Sequence, residues 1–215
     1  MRLLLALLAF VAVVPALAAP PAEPACIAEL AKVARMESAT SPETDDEGCV
    51  IPTPVKVEAF TYRDREVKLS GAPVLHCPFA LAFARWTRDV AAPLAEGELD
   101  RKLVELGTGN GFQCRRRNRA KTGKLSEHAF GNAIDIVTFR FDGEGDEARF
   151  DVQPYEDMSA EEVGYLDAVR KSACGYFTTI LGPGSNAAHA DHLHFDLGRQ
   201  YKDGEKRDNP YRICD

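Results

Sequence analysis

Hydrophobic and polar positions fall into blocks of changing period along the chain. Met1-Arg2 leads into an apolar run from Leu3 to Val14, which Pro15 breaks. The run is shorter than the ~20 residues a spanning helix needs, and Ala16-Leu17-Ala18 comes next with the small-x-small pattern of a signal-peptidase site. Residues 1–18 therefore read as a signal peptide, with no stable membrane anchor left after cleavage. Between Cys26 and Met36, Ile27, Leu30, Val33 and Ala34 recur like one face of a short helix. Ser38 to Gly48 is polar and acidic, a loop. Val55 to Leu69 is β-rich with uneven alternation, which predicts one or two strands. After Pro78, the residues Phe79, Leu81, Ala82, Ala84, Trp86, Val90 and Leu94 spread over a face wide enough for a buried helix. Lys102 to Leu106 reads as a short strand running into a glycine-rich turn, 107–111.

The second half is punctuated more clearly. Ala133 to Phe139 is a near-continuous apolar run, the mark of a central strand. Asp142-Gly143-Glu144-Gly145-Asp146 is a turn. Ser159-Ala160-Glu161-Glu162 has the form of a capping box, and Val163, Leu166, Val169 and Ala173 continue it at helical spacing. Phe177 to Leu181 predicts another strand. From His192 the chain alternates, so that His192, His194 and Asp196 share one strand face while Leu193, Phe195 and Leu197 share the other. Strands and helices in this irregular order predict an α+β domain.

Length and composition narrow the class. Cleavage near Ala18 leaves just under 200 of the 215 residues, enough for one domain with a core of its own. Six cysteines (26, 49, 77, 114, 174 and 214) are an even number with no C-x-x-C pair, which in an exported chain predicts disulfides over a cysteine metal site. Near-neighbour pairing, Cys26–Cys49, Cys77–Cys114 and Cys174–Cys214, closes loops of moderate length, each around one supersecondary unit. A net charge of −7 speaks against nucleic acid as a partner. One basic cluster, Arg115-Arg116-Arg117 with Arg119, Lys121 and Lys124, is either a solvated loop or a wall facing an anionic substrate.

The chemistry concentrates in His189-Ala190-Asp191-His192-Leu193-His194, which holds three of the five histidines. Paired imidazoles on one face suit a transition metal, zinc above all. Asp135 stands inside the apolar run at 133–139, where an unpaired carboxylate costs several kcal/mol, so it requires a cation or a proton. His128, Asp135 and one later histidine form a two-nitrogen, one-oxygen set. Three protein ligands with an open fourth position is the arrangement of catalytic zinc.

Ser126 to Asp135 matches S-x-H-x-x-G-x-A-x-D, and His192-Leu193-His194 matches the later H-x-H. Together these motifs resemble the metallopeptidases grouped with lysostaphin, the D-Ala-D-Ala peptidases and the hedgehog proteins. The spelling from His189 to His194 is similar to the penicillin-insensitive murein endopeptidases within that group. From about Cys49 to Cys214, cysteines included, the chain resembles bacterial extensin-like C-terminal domain proteins.

The resemblance implies a small antiparallel sheet flanked by helices and stabilised by disulfides, with a zinc ion held on the sheet by His128, Asp135 and His194. It divides the chain into the signal peptide, an N-terminal extension with a short helix at 19–48, and an extensin-like zinc peptidase domain at 49–215. It implies a periplasmic endopeptidase that hydrolyses peptidoglycan cross-links, either D-Ala to diaminopimelate or diaminopimelate to diaminopimelate. Peptide stems would be its partners, with a regulatory protein as a further one. Gly131 would permit a close backbone approach. Arg115, with Ser126 of the first motif, would contact substrate, although Gly111-Phe112-Gln113-Cys114-Arg115 departs from the G-Y-R-S turn that carries the anchoring arginine in related enzymes.

Two residues compete for the general base. His192 shares the strand face of His194; Asp191 stands three residues before His194, where related peptidases carry a glutamate, and reaches the metal only if the strand starts at His192. His189 is an outer-shell or substrate contact, Asp196 has no assigned role, and His76 is structural. A non-catalytic, zinc-containing wall-binding module is the alternative of a different class.

Overall fold

The computed structural model describes residues 23–109, 111–145, 148–198, 201–202, 205–206 and 212–214. The expected signal peptide lies outside these residues. Helix α1 spans Glu23–Leu30, and the chain then extends into strand β1, Ala34–Ser38. The helix expected to reach Met36 thus stops at Leu30, because Val33 onward docks on a sheet: the carbonyl of Val33 accepts from Thr61 N–H at 2.8 Å, and β1 pairs antiparallel with β2, Pro54–Tyr62. Tertiary pairing overrides a helical period of only three turns. The uneven alternation at 55–69 resolves into a hairpin of β2 and β3, Arg65–Leu69, and β4, Val74–His76, returns along β2.

The buried helix behind Pro78 is one rod in three parts: α2, Cys77–Trp86, a π turn at Thr87–Ala91, and α3, Ala92–Leu99. Strand β5, Leu103–Thr108, feeds the loops that lead to β6, Ala133–Phe141, and to β7, Arg149–Asp151. Helix α4, Ala160–Ala173, starts with the expected capping box, Ser159 accepting from Glu162 N–H and Glu162 from Ser159 N–H. Strands β8, Thr179–Leu181, and β9, Leu193–Asp196, come next, then the short ribbon of β10, Tyr201–Lys202, and β11, Glu205–Lys206, and last β12, Ile213–Cys214.

Among the described residues the main sheet has ten strands, ordered β1-β2-β3-β5-β6-β9-β8-β12, with β4 beside β2 and β7 beside β6. It is neither small nor wholly antiparallel. The pairs β3/β5 and β8/β12 run parallel, because the α2–α3 rod and the C-terminal stretch carry the chain back before it re-enters the sheet. The segment 34–38 forms an edge of this same sheet, joined directly to β2.

Strand β6 is central, as its apolar run predicts, but it is not buried on both faces. Thr138 pairs with Gly107 and Ile136 with Thr108, so Val137 bulges out and is 38% exposed. A bulge resets the alternation: Ile134 and Ile136 before it, and Phe139 and Phe141 after it, all reach the buried core. Phe195 of β9 joins them, flanked by Trp86 of α2 (ring centroids 5.0 Å apart) and Phe177 (4.8 Å). The Trp86 indole N–H donates to Val169 O of α4 at 3.2 Å, and Tyr165 O–H donates to Ala91 O at 2.9 Å, so both buried polar tips are satisfied.

The disulfides are Cys26–Cys77, Cys49–Cys114 and Cys174–Cys214. The last pairing obeys the near-neighbour rule; the first two exchange partners relative to it. Loop-closure entropy grows only logarithmically with length, so a preference for short loops is weak against placement. Pairing of β1 with β2 lays α1 against α2, which sets Cys26 beside Cys77, and Cys49 is left next to the loop that carries Cys114.

Candidate functional site

Alternation on two neighbouring strands builds the centre. In the β6/β9 register Asp135 stands opposite His194, and Ala133 opposite Asp196. Directly opposed residues on one face have Cβ atoms only ~4.5–5.5 Å apart. Their neighbours Ile134, Ile136, Leu193 and Phe195 point into the core, so the polar set takes the other face. Asp135 Oδ1 lies 2.9 Å from His194 Nδ1.

His128 arrives from outside the sheet. It sits in a 3-10 turn, Glu127–Phe130, that ends at Gly131 in the left-handed region (φ 60°). A Cβ on Gly131 would fall 2.9 Å from His76 N, so this turn can press against β4 only with glycine there. His128 is fully buried. Its Nδ1 is 3.4 Å from Gly111 O, which makes Nδ1 the donor and leaves Nε2 facing inward, 3.3 Å from both Asp135 Oδ1 and His194 Nδ1. His128, Asp135 and His194 thus bring three potential ligand atoms within 4.8 Å of one another.

The charges respond accordingly. Burial opposes ionisation of Asp135, but hydrogen bonds from His128 and His194 outweigh it and hold its carboxyl well below the usual range. Burial also opposes charge on His194, yet Asp135 and Asp196 on either side raise it to about 9. This is the cation that a carboxylate inside an apolar strand demands. For His189 burial acts first, then the charges of His194 and His192, and together they lower it to about 4.

The centre opens to a cleft of about 390 Å³. Strand β9 begins at Leu193, so His192 and Asp191 precede it. His192 is nevertheless turned inward, 18% exposed, with Nε2 at 3.7 Å from Asp135 Oδ1. Asp191 is 81% exposed and accepts from His192 Nδ1 at 2.8 Å. His189, at the end of a 3-10 turn, contacts Asn186 Oδ1 through Nδ1 at 2.8 Å, and its ring lies 5.1 Å from that of His192. Arg115 lines the cleft with its Nε held by Gln113 Oε1 at 2.8 Å, and Ser126, buried, lines it too, its N–H donating to Arg115 O. Arg115, Ser126, Asp135, His189, His192 and His194 therefore line one cleft, with His128 buried beside the centre, while Asp191 stands outside the lining and reaches it only through His192.

Two residues carry no role on sequence grounds and yet belong to the cleft. Asp196 is 6% exposed and meets His194 Nε2 at 3.1 Å through Oδ2; its period-two spacing from His194 is the signal that could have found it. Glu127 is nearly buried in the cleft wall, where it accepts from Asn132 at 3.1 Å and Arg117 at 3.0 Å. Burial pushes its carboxyl up, aided by the charge of Asp196. Nothing in its flanking residues marks it from sequence.

Two imidazole nitrogens and an ionised carboxylate, each imidazole oriented by a partner on its other nitrogen, fit a borderline divalent metal such as zinc. A second group, Asp46 with Cys49 and Cys114, does not, because both sulfurs are spent in a disulfide. The molecule is therefore a mixed α/β domain with a histidine–carboxylate centre at the floor of a cleft. The chain belongs to the family described as the extensin-like protein C-terminus, whose model matches residues 24–214, taking in α1 and β1. No curated protein and no solved structure matches it.

Proposed function

We propose that the protein is a zinc-dependent endopeptidase acting on the peptide cross-links of bacterial peptidoglycan in the periplasm. The observation that carries this reading is the convergence of His128 Nε2, Asp135 Oδ1 and His194 Nδ1 on one point at the floor of an open cleft. Three disulfides and the apolar leader in the sequence favour an exported, oxidising setting.

Bound between these ligands, zinc would supply Lewis-acid activation of a water and of the scissile carbonyl. The protein's own groups do the rest. Asp191 accepts from His192 Nδ1 and so leaves His192 Nε2 as the basic nitrogen facing the cleft. His192 takes the proton from the attacking water and returns it to the leaving amine. Asp191 orients that histidine, a lesser part than that of the base itself. Arg115, held by Gln113, and Ser126 face the substrate strand, with Arg115 suited to a stem carboxylate. His189, its pKa lowered above all by burial, serves as a hydrogen-bonding contact beside His192.

The test is incubation of zinc-loaded protein with cross-linked muropeptide dimers, products resolved by mass. Appearance of two monomers supports the reading, and their masses say which cross-link is cut. Binding of dimers with no cleavage over extended incubation would replace it with the wall-binding module.

A further inference from the structure

Asp196 lies outside the ligand set, yet it controls which nitrogen of His194 can serve in it. Each carboxylate oxygen has its own partner. Oδ1 accepts from Gly198 N–H at 3.0 Å, and Oδ2 meets His194 Nε2 at 3.1 Å. The backbone around it is pinned as well, since Thr178 N–H and Oγ1–H both donate to Asp196 O, at 2.8 and 3.1 Å. Across the sheet stand Ala133 and Thr179, side chains small enough to let the carboxylate swing along its own strand toward His194. An imidazole has two edges, each here facing a carboxylate, and a metal that displaces the proton from Nδ1 leaves the Nε2–H to the acceptor on the other edge. We infer that Asp196 is a positioning residue that holds His194 through an Nε2–H donor, so that Nδ1, already turned toward Asp135 and His128, is the nitrogen left to take a metal in place of its proton. The inference rests on the proposed metal reading for its consequence, and on the observed hydrogen bonds for its cause.

The chemistry of the two acceptors gives a sharp test. Asp196→Asn keeps shape and volume but has one carbonyl oxygen where two acceptors are needed. If that oxygen stays with Gly198 N–H, the amide NH₂ faces His194 Nε2, which must then accept. The proton moves to Nδ1, and the nitrogen aimed at the ligand point loses its lone pair. This is the wrong-tautomer effect known from carboxylate-to-amide exchange behind a catalytic histidine. A role for Asp196 confined to the turn at Gly198 would leave the same variant harmless.

The experiment uses the mature protein, stripped with chelator and titrated with zinc alone against a chromophoric competitor. ¹⁵N-detected spectra of the His194 ring are recorded on the stripped form over an alkaline pH series, until the ring is neutral. Asp196→Asn should bind zinc about 10–100-fold more weakly than the parent, the usual loss for removing an outer partner of a ligating histidine. Its neutral His194 should carry the proton on Nδ1 alone, toward Asp135, where in the parent Asp135 and Asp196 share it between the two nitrogens. Asp196→Ala, with its circular dichroism checked, should lose zinc affinity to a similar degree, its neutral His194 likewise protonated at Nδ1 toward Asp135. Parent-like zinc affinity in a folded Asp196→Asn, or an unchanged His194 tautomer, overturns the inference. Failure of the parent itself to bind zinc would instead overturn the metal reading, while the tautomer comparison would still decide the role of Asp196.

Discussion

Strands β6 and β9 present two faces made from alternate residues of the same short stretches of chain. One face carries Ile134, Ile136, Leu193 and Phe195, all fully buried against the helices. The other carries Asp135, His194 and Asp196, also largely buried, and joined to one another by hydrogen bonds. Burial is similar; its consequence is opposite. Apolar burial on the helix side stabilises the fold outright. On the cleft side it brings together charges whose desolvation is offset only by their mutual pairing. The sheet therefore holds a rigid apolar layer one residue away from a set of groups that are costly to bury and useful for that reason. Alternation is what lets both sit on the same strands.

Substitutions should separate the two faces, and the largest effect belongs to the ligands. His194→Ala, His128→Ala or Asp135→Ala should each lose most bound zinc and with it cleavage of muropeptides, while circular dichroism stays native. Metal content together with product formation checks this, and a triple variant that keeps stoichiometric zinc would refute the ligand set. Next comes the base. His192→Ala should retain zinc and lower single-turnover rates by about 10²–10⁴-fold, with a smaller loss for Asp191→Ala. Equal, modest losses in both would point to His189 instead.

On the apolar face, Phe195→Ala removes the ring packed between Trp86 and Phe177. It should cost about 3–5 kcal/mol of unfolding free energy, read from denaturant titration of the metal-free protein. That loss should come without any specific change in zinc affinity at temperatures where the protein is folded. A loss of zinc affinity in folded Phe195→Ala would erase the distinction between the faces.

The smallest effect is one of pH. In chelator-stripped protein His194 is raised to about 9 by Asp135 and Asp196 against the opposition of burial. A raised pKa contributes stability that is fully present below the unfolded value near 6.5 and is lost as pH climbs through 9. The midpoint of thermal unfolding should therefore fall between pH 6.5 and 9 in the parent, and the slope should flatten in His194→Ala.

How much of the molecule is legible in its sequence depends on the range of the forces involved. The capping box at Ser159, the rod behind Pro78 and the central place of β6 are set by neighbours in sequence, and they are readable there. The three candidate ligands are readable as well, because a charged Asp135 inside Ile134-Asp135-Ile136 announces that it needs partners. The features that escape depend on contacts far apart in the chain. Val33 leaves its helical period to pair with β2. The bulge at Val137 turns an apparently two-faced strand into a one-faced one. Cys26 and Cys49, expected to bond to each other, bond instead to Cys77 and Cys114 because β1 joins the sheet. The extent of that sheet, ten strands in place of a small one, has the same origin: its short members β1, β4, β7 and β12 have no periodicity of their own to read.

The most direct trial of the central claim is a zinc titration of the chelator-stripped mature protein. The account predicts one zinc per chain, tightly bound in the parent and absent from His128→Ala, Asp135→Ala and His194→Ala alike. A parent that takes up no zinc, or variants that take it up as the parent does, would contradict it.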